Sequence, residues 1–351
     1  MTTRKDSQDI NFLIDHIDPL GQGVFKEGDN IFFIPKTLPN ETGIARIIKK
    51  KKNIHFCQLI KLDSKAPQRT DSPCPHFNEC SGCHFLHTDY QSEIEFKQKT
   101  FTRMLSKLEI NQFETITSPD RLQYRNRIQL HRSGKKMGFY KYQSKQVVEV
   151  PNCKIIQPPI APFLSKVYKD RPNFKSHLEL YLKDGTVSIN KDLRYAQGGF
   201  TQVNQAANEK MLHKISELFK GEQLSVIDLF AGNGNISDVI NYKTRMCIDI
   251  YPESYSDFIN LDLYSADAIH SLRESSIDLL ILDPPRAGFK HLNDWVRKFK
   301  PKQILYISCH PMTMIRDLME IKSNYSVDSS FLIDLFPATF HFEGMCVLNR
   351  N

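Results

Sequence analysis

Five short apolar runs follow one another in the last third of the chain: LSVIDLF, RMCIDI, DFINLD, IDLLILD and QILYIS, with polar stretches of helix length between them. Runs this apolar suit strands buried on both faces, and strands joined by helix-length crossovers align in parallel. The fold class expected for residues 201–351 is therefore α/β, a doubly wound, Rossmann-like sheet. Such a sheet binds its ligands at the carboxyl edge of its strands, so the residues ending each run are the first candidates for chemistry. Asp228, Asp249, Asp283 and Cys309 stand at four of those ends.

The rest of the chain reads differently. Residues 8–65 are short strands punctuated by turns, the pattern of a small β-barrel. Lys49 to Lys52 put four cations at one hairpin tip, either a solvated turn or a grip on phosphates. The polar, proline-rich stretch SKAPQRTDSPCP opens a central, mostly β domain over residues 66–200, with helical spacing over about 88–107. Helical spacing returns at 204–219. Ordinary globular composition over 351 residues, 40% hydrophobic and 25% charged, excludes disorder, collagen and coiled coil. No apolar run approaches the ~20 residues of a membrane span, and MTTRKDSQDINF lacks the apolar core of a secretory signal. A cytoplasmic location is expected, with the eight cysteines reduced. The net charge of +7 favours an anionic partner, nucleic acid first, the other reading being a basic enzyme without a polyanion.

The strand ends carry distinct chemistry. VIDLFAGNGNIS runs from a strand into a turn with Gly232 and Gly234 and then, on this reading, a helix; it is not the GxGxxG of dinucleotide binders. Asp228 would suit a cationic amino group and Asp249 a ribose diol, two needs that describe S-adenosylmethionine better than NAD. Asp283, in LLILDPPRAGF, is either a carboxylate held rigidly for a base or amine, or a capping residue in a proline turn. Cys309, in ILYISCHPMTMIRDL, begins a helical pattern, where the helix dipole favours thiolate. Glu343 lies among apolar residues, where a carboxylate is paired to a cation or kept for proton transfer, and His341 nearby is structural or part of a relay. Cys74, Cys80, Cys83 and the distant Cys153 make a C-x5-C-x2-C…C set that permits zinc or a [4Fe-4S] cluster. Cys57, Cys247 and Cys346 sit in apolar runs and read as core.

In order along the chain, FTQVN, DLFAGNGN, DPPRAG, SCHP and HFE resemble the FxQVN, DLFxGxGN, DPPRxG, SCxP and HxE elements of the RNA uracil-5-methyltransferase family, which makes 5-methyluridine in ribosomal or transfer RNA. The resemblance implies an OB-like barrel of the TRAM kind over 8–65 that binds RNA, a central domain over 66–200, and a class I S-adenosylmethionine-dependent methyltransferase domain over 201–351. It implies Cys309 as the nucleophile on C6 of uracil, Glu343 as the base that removes the C5 proton, and Asp283 on the uracil edge. Gln202, with Asn204, would reach the site from its rim, and Phe200 would stack on a base. The cofactor would lie against Gln202, Phe230, Gly232, Asn235, Asp249, Asp262 and Asp283, with Asp267 the alternative to Asp262. Cys74, Cys80, Cys83 and Cys153 would hold a [4Fe-4S] cluster. A monomer acting on 23S ribosomal RNA is the leading expectation, then the same reaction on transfer RNA, then a non-catalytic RNA-binding assembly factor. The chain departs from the family pattern at His310, where asparagine is usual, and at YPESYS, where a helix is shortened.

Overall fold

The computed structural model describes residues 8–142, 144–193, 202–221, 223–250, 257–265, 268–273 and 276–351. Among them no helix is long and apolar enough to cross a membrane. The chain separates into two compact units, one of residues 1–100, 120–193 and 336–341, the other of 101–119, 194–335 and 342–351.

The first unit opens with β1 (Asp9–Leu13), β2 (His16–Ile17), β3 (Gln22–Glu27), β4 (Asn30–Pro35), β5 (Thr42–Lys51) and β6 (Ile54–Ser64), paired in the order β1-β5-β6-β4-β3-β2. Period-two alternation sets the buried face: in β5, Gly43, Ala45 and Ile47 are buried while their neighbours are partly exposed. Phe12, Ile14, Phe32, Ile34, Ala45, Ile47 and Cys57 form the core beneath. Lys49 to Lys52 lie exposed at the β5–β6 hairpin tip, as the sequence leads one to expect. α1 (Tyr90–Leu105) follows, its last five residues counting with the second unit, as does β7 (Glu114–Ile116).

Returning to the first unit, β8 (Arg127–Ser133), β9 (Lys136–Tyr140), β10 (Val147–Val148), β11 (His177–Lys183) and β12 (Thr186–Lys191) pair antiparallel in the order β10-β9-β8-β11-β12. A helix that strand-and-turn reasoning missed, α2 (Ala161–Asp170), packs Leu164, Val167 and Tyr168 against Leu130, Leu178 and Leu180. Glu93, fully buried, accepts from Lys97 Nζ (2.8 Å), Arg121 Nε (3.0 Å) and Ala338 N (2.7 Å), so residues 336–341 are tied into this unit by a satisfied charge cluster.

The second unit contains α3 (Gln205–Leu218), β13 (Leu224–Leu229), β14 (Tyr242–Asp249), β15 (Phe258–Asn260), β16 (Leu279–Leu282), α4 (Leu292–Phe299), β17 (Gln303–Ser308), α5 (Pro311–Ile321), β18 (Tyr325–Ile333) and β19 (Glu343–Arg350). The strands, with β7, form one sheet in the order β15-β14-β13-β16-β17-β19-β18-β7. The five expected strands pair in parallel with one another, β7 pairs in parallel with β18, and β19 enters antiparallel to both β17 and β18. The chain leaves β13 outward through β14 and β15, then resumes on the other side at β16, so the strand order reverses beside β13. The helix expected after the glycine turn is absent: Ser237–Val239 makes a single 3₁₀ turn before β14. YPESYS, residues 251–256, lies outside the described residues, so its shortened helix has no structural account.

Candidate active site

Register brings the chemistry together. β16 ends at Leu282, opposite Tyr306 of β17, and β17 ends at Ser308, opposite Gly344 of β19. Because β19 is antiparallel, one further step along that register sets Cys309 beside Glu343. The carboxyl ends of β16 and β17 thus meet the amino end of β19, and Asp283, Cys309 and Glu343 share one edge of the sheet. Gly344 fits closely there: an added Cβ would lie 3.1 Å from Met314, Phe101 and Pro311 at once, so all three side chains would have to give way.

The electrostatics are those of acids short of donors. Glu343 is 4% exposed, and its Oε2 meets no hydrogen-bond donor. Burial, followed by the charge of Asp283, raises its proton affinity well above the ordinary carboxylate range, while Arg286 partly opposes. Asp283 is pushed up to about 7 by burial and by Asp228. Cys309 is pushed up to about 12, by burial first and then by Glu343 and Asp283. Arg286 works against this, through its charge and a hydrogen bond to the thiol.

The expected thiolate is therefore not the resting form. Cys309 does precede α5, with His310 at the N-cap, but burial and two carboxyls outweigh a helix end worth about 0.3–1 kcal/mol. Arg286 is the residue passed over at the sequence level, although it stands inside the DPPRAG run. Asp228 also departs from expectation. It is 1% exposed, neither carboxylate oxygen meets a donor at hydrogen-bonding distance and angle, and burial lifts it to about 7, the Ser237 group beside it offsetting only part. It faces no open crevice and acts on the site through the charge it places near Asp283.

On the neighbouring strands, Phe230 at φ +60° and Gly232 at φ +56° bend the chain sharply after β13. Gly232 N donates to Asp249 Oδ2 (2.9 Å), fixing the acid that ends β14 against the turn. An added Cβ at Gly232 would meet open space, so the turn presents bare backbone outward. An acid so placed beside bare backbone is what a ribose-bearing cofactor requires. Phe230 packs at 5.1 Å against Phe289 and at 5.7 Å against Tyr264, closing one flank with aromatic rings.

Other expected cofactor residues are occupied differently. The Asn235 amide exchanges two hydrogen bonds of 3.2 Å with Asn208 of α3. Asp262 is exposed, and its Oδ1 accepts from Tyr264 N (3.0 Å) in its own turn. Gln202 is partly buried just ahead of α3. Asn204 is a cap: its Oδ1 accepts from Ala207 N (3.2 Å), and its Nδ2 donates to Ser118 Oγ (3.0 Å) and Leu335 O (3.2 Å). Phe200 and Asp267 lie outside the described residues.

In the first unit, Cys74, Cys80, Cys83 and Cys153 are all free thiols. Cys74, Cys83 and Cys153 pack on one apolar cluster of Phe77, Leu86, Tyr124, Ile155 and Ala338. Burial and then the neighbouring thiols Cys153, Cys80 and Cys74 raise the proton affinity of Cys83 far above its usual value, and Cys153 rises to about 11 chiefly by burial. Among the described residues, no three His, Cys, Asp or Glu groups stand close enough to grip a single metal ion. His341 belongs to this unit, its ring 4.0 Å from Phe340. Cys57, Cys247 and Cys346 are core residues, as expected.

The family model described as tRNA (Uracil-5-)-methyltransferase matches residues 259–351, the stretch that holds Asp283, Arg286, Cys309 and Glu343. An uncharacterized RNA methyltransferase of Bdellovibrio bacteriovorus is 29% identical over 360 residues, covering 93% of this chain and 92% of that protein. The 23S rRNA (uracil(1939)-C(5))-methyltransferase RlmD of Shewanella sediminis is 27% identical over 431 residues, covering 99% of this chain and 97% of its own length. Among solved structures, the Pyrococcus abyssi tRNA (uracil-54, C5)-methyltransferase bound to S-adenosyl-L-homocysteine shares the fold, with a TM-score of 0.72 over 97% of this chain and 100% of that one, at 19% identity. The motifs, the family model over residues 259–351 and relatives matched along nearly the whole chain agree in one likeness: the chain is similar to the RNA uracil-5-methyltransferases, S-adenosylmethionine-dependent enzymes.

Proposed function

We propose that the protein methylates C5 of one uridine in 23S ribosomal RNA through a covalent bond between Cys309 and C6. The observation that carries this reading is the convergence of Cys309, Glu343, Asp283 and Arg286 at one sheet edge. Methyl transfer to nitrogen or oxygen needs no nucleophilic sulfur beside a base, whereas C5 of uracil needs both. Bound S-adenosylmethionine supplies an electrophilic methyl group, and Gly232, Phe230 and Asp249 are the residues suited to hold it. Asp283, poised near neutrality, pairs with the uracil edge. When the substrate is in place Cys309 releases its proton to solvent, with Arg286 favouring the thiolate, and its sulfur bonds to C6 while the C5=C6 π electrons move toward O4 as an enolate that is nucleophilic at C5. After methylation the Glu343 carboxylate takes the C5 proton, the C5=C6 bond re-forms and the sulfur leaves. Burial, which raises the proton affinity of Glu343, makes it the stronger base for that step. The ring is attacked from its face, so the uridine must be flipped out of its helix.

The remaining assignments extend the same reading. The β1–β6 sheet with its lysine tip serves as the TRAM-like barrel of 8–65 and holds RNA phosphates; the central domain of 66–200 gives up 101–119 to the second unit, and the chemistry lies in 201–351 without 336–341. Cys74, Cys80, Cys83 and Cys153 hold a structural [4Fe-4S] cluster, a reading that rests on their spacing and on four free thiols, three of which pack on one apolar cluster. A cytoplasmic monomer fits reduced thiols and a ribosomal substrate. The ribosomal target follows the names of the RlmD relatives. A second reading, the same reaction on transfer RNA, is favoured by the name of the matching family model and by the Pyrococcus structure.

The test is incubation with methyl-labelled S-adenosylmethionine and separate pools of unmodified ribosomal and transfer RNA, followed by nucleoside analysis. Labelled 5-methyluridine in 23S ribosomal RNA is expected. Label confined to transfer RNA selects the second reading, and no label in either pool turns the protein into an RNA-binding factor.

A further inference from the structure

Residues 286–289 form the turn that follows Asp283 and its two prolines, and side chains hold four consecutive backbone groups of it. Thr313 Oγ1 shares its proton between Arg286 O (3.2 Å) and His310 O (2.8 Å), Arg316 Nη2 donates to Ala287 O (2.8 Å) and the Tyr264 hydroxyl to Gly288 O (2.9 Å), while Phe289 N donates to Asp317 Oδ2 (2.6 Å). Three of these four side chains stand on α5, the helix that starts two residues after Cys309. Asp317 is at the centre of the set. It is fully buried, its Oδ2 also accepts from the Tyr306 hydroxyl on β17 (2.6 Å), and its Oδ1 accepts from Arg316 Nε (2.9 Å) and Nη2 (2.6 Å). Gly288, at φ +73°, lies so close that a Cβ would stand 2.5 Å from Asp317 Oδ2 and 2.6 Å from Arg316 Nη2, a contact open only to glycine.

We propose that Asp317 is a positioning residue of the methyl-transfer site: gripping the 286–289 turn from the helix that begins beside Cys309, it sets the Arg286 guanidinium against the Cys309 sulfur. This rests on the reading of Cys309 as the nucleophile. The groups that face the thiol are Glu343 and Asp283, which oppose its ionisation, and Arg286, which favours it. A hydrogen bond weakens steeply with distance and angle, so a turn that drifts takes that single favourable partner away.

The test compares Asp317→Asn, Arg286→Gln and Thr313→Val with the parent in the full chain. The first readout is the rate at which iodoacetamide alkylates Cys309 across pH 7 to 10, followed at its own peptide by mass spectrometry, without RNA or S-adenosylmethionine. Loss of Arg286 raises the thiol pKa. A rise of about one unit cuts the thiolate tenfold but makes each thiolate about threefold more nucleophilic, so about threefold slower alkylation at pH 8 is expected for Arg286→Gln and Asp317→Asn. Thr313→Val should move the same way by less. In methyl transfer, kcat should fall on the order of tenfold for Asp317→Asn, with KM for RNA within about twofold. A folded Asp317→Asn protein whose alkylation profile overlays the parent overturns the proposal, as does an unshifted Arg286→Gln. If Asp317→Asn does not fold, Thr313→Val decides by the same criterion. A parent that transfers no methyl group while the variants still shift the thiol would strike the reading of the reaction and leave this role for Asp317 standing.

Discussion

A carboxyl group with neither oxygen hydrogen-bonded is costly to ionise, and Asp228 pays that cost within the core beside β14. Its native pKa of about 7 lies above the ordinary value of 3.8, so the folded chain keeps a proton that the unfolded chain has lost. Stability is complete below about pH 4 and falls as pH rises through about 7. Asp228→Asn, neutral at every pH, should therefore gain on the parent in urea unfolding between pH 5 and 8 by at least about 1 kcal/mol. Equal pH slopes for the two proteins would show Asp228 to be ionised in the fold. At the other acid the test is chemical. Glu343→Gln should still pass the methyl group to C5 but hold RNA in a covalent adduct resistant to denaturing gels, and Cys309→Ala should form no adduct at all. An adduct-free Glu343→Gln protein with normal turnover would remove the base assigned here. None of these proton affinities was legible in the sequence. The spacing of SCHP correctly put Cys309 at a helix start, but the register that sets Glu343 beside it, and so reverses the thiolate expectation, exists only once β19 has paired with β17.

Elements were legible where periodicity was strong and illegible where neighbours decided. LLIL and QILYIS are short apolar runs, too brief for a typical helix, TGIARII alternates, and the strands fall where those patterns lie. APFLSKVYKD carries too few turns to outweigh the strand-rich stretch around it, and it is helical because Leu164 and Val167 find a sheet face to cover. The stretch after the glycine turn was expected to be a helix, yet it ends in one 3₁₀ turn before β14 begins. Asn204 sits within a motif, and a motif suggests chemistry, but its amide is spent on starting α3 and on two partners at 3.0 and 3.2 Å. Asn204→Ala should accordingly cost about 1–2 kcal/mol of stability in urea unfolding, while S-adenosylmethionine affinity stays within about twofold. A loss of affinity at unchanged stability would return Asn204 to the site.

For the whole molecule, the chain's division into two units built from interleaved segments could not be read from contiguous stretches of composition, because residues 101–119 and 336–341 each leave their sequence neighbours. The cysteine set can be tested at this scale: protein purified without air should be brown, with a broad visible charge-transfer band that Cys83→Ser abolishes. A colourless protein with one zinc ion per chain would overturn the cluster. The position of β19 between β17 and β18 has a further consequence. A nucleophile lacking its base would be a hazard, since each encounter with RNA would end as a linkage that nothing resolves. Here the strand that bears the base at its first residue is also the strand that joins β17, which ends one residue before the nucleophile, to β18. Cooperative closure of that sheet delivers both reactive groups in the same event, so half-assembled molecules are silent rather than suicidal.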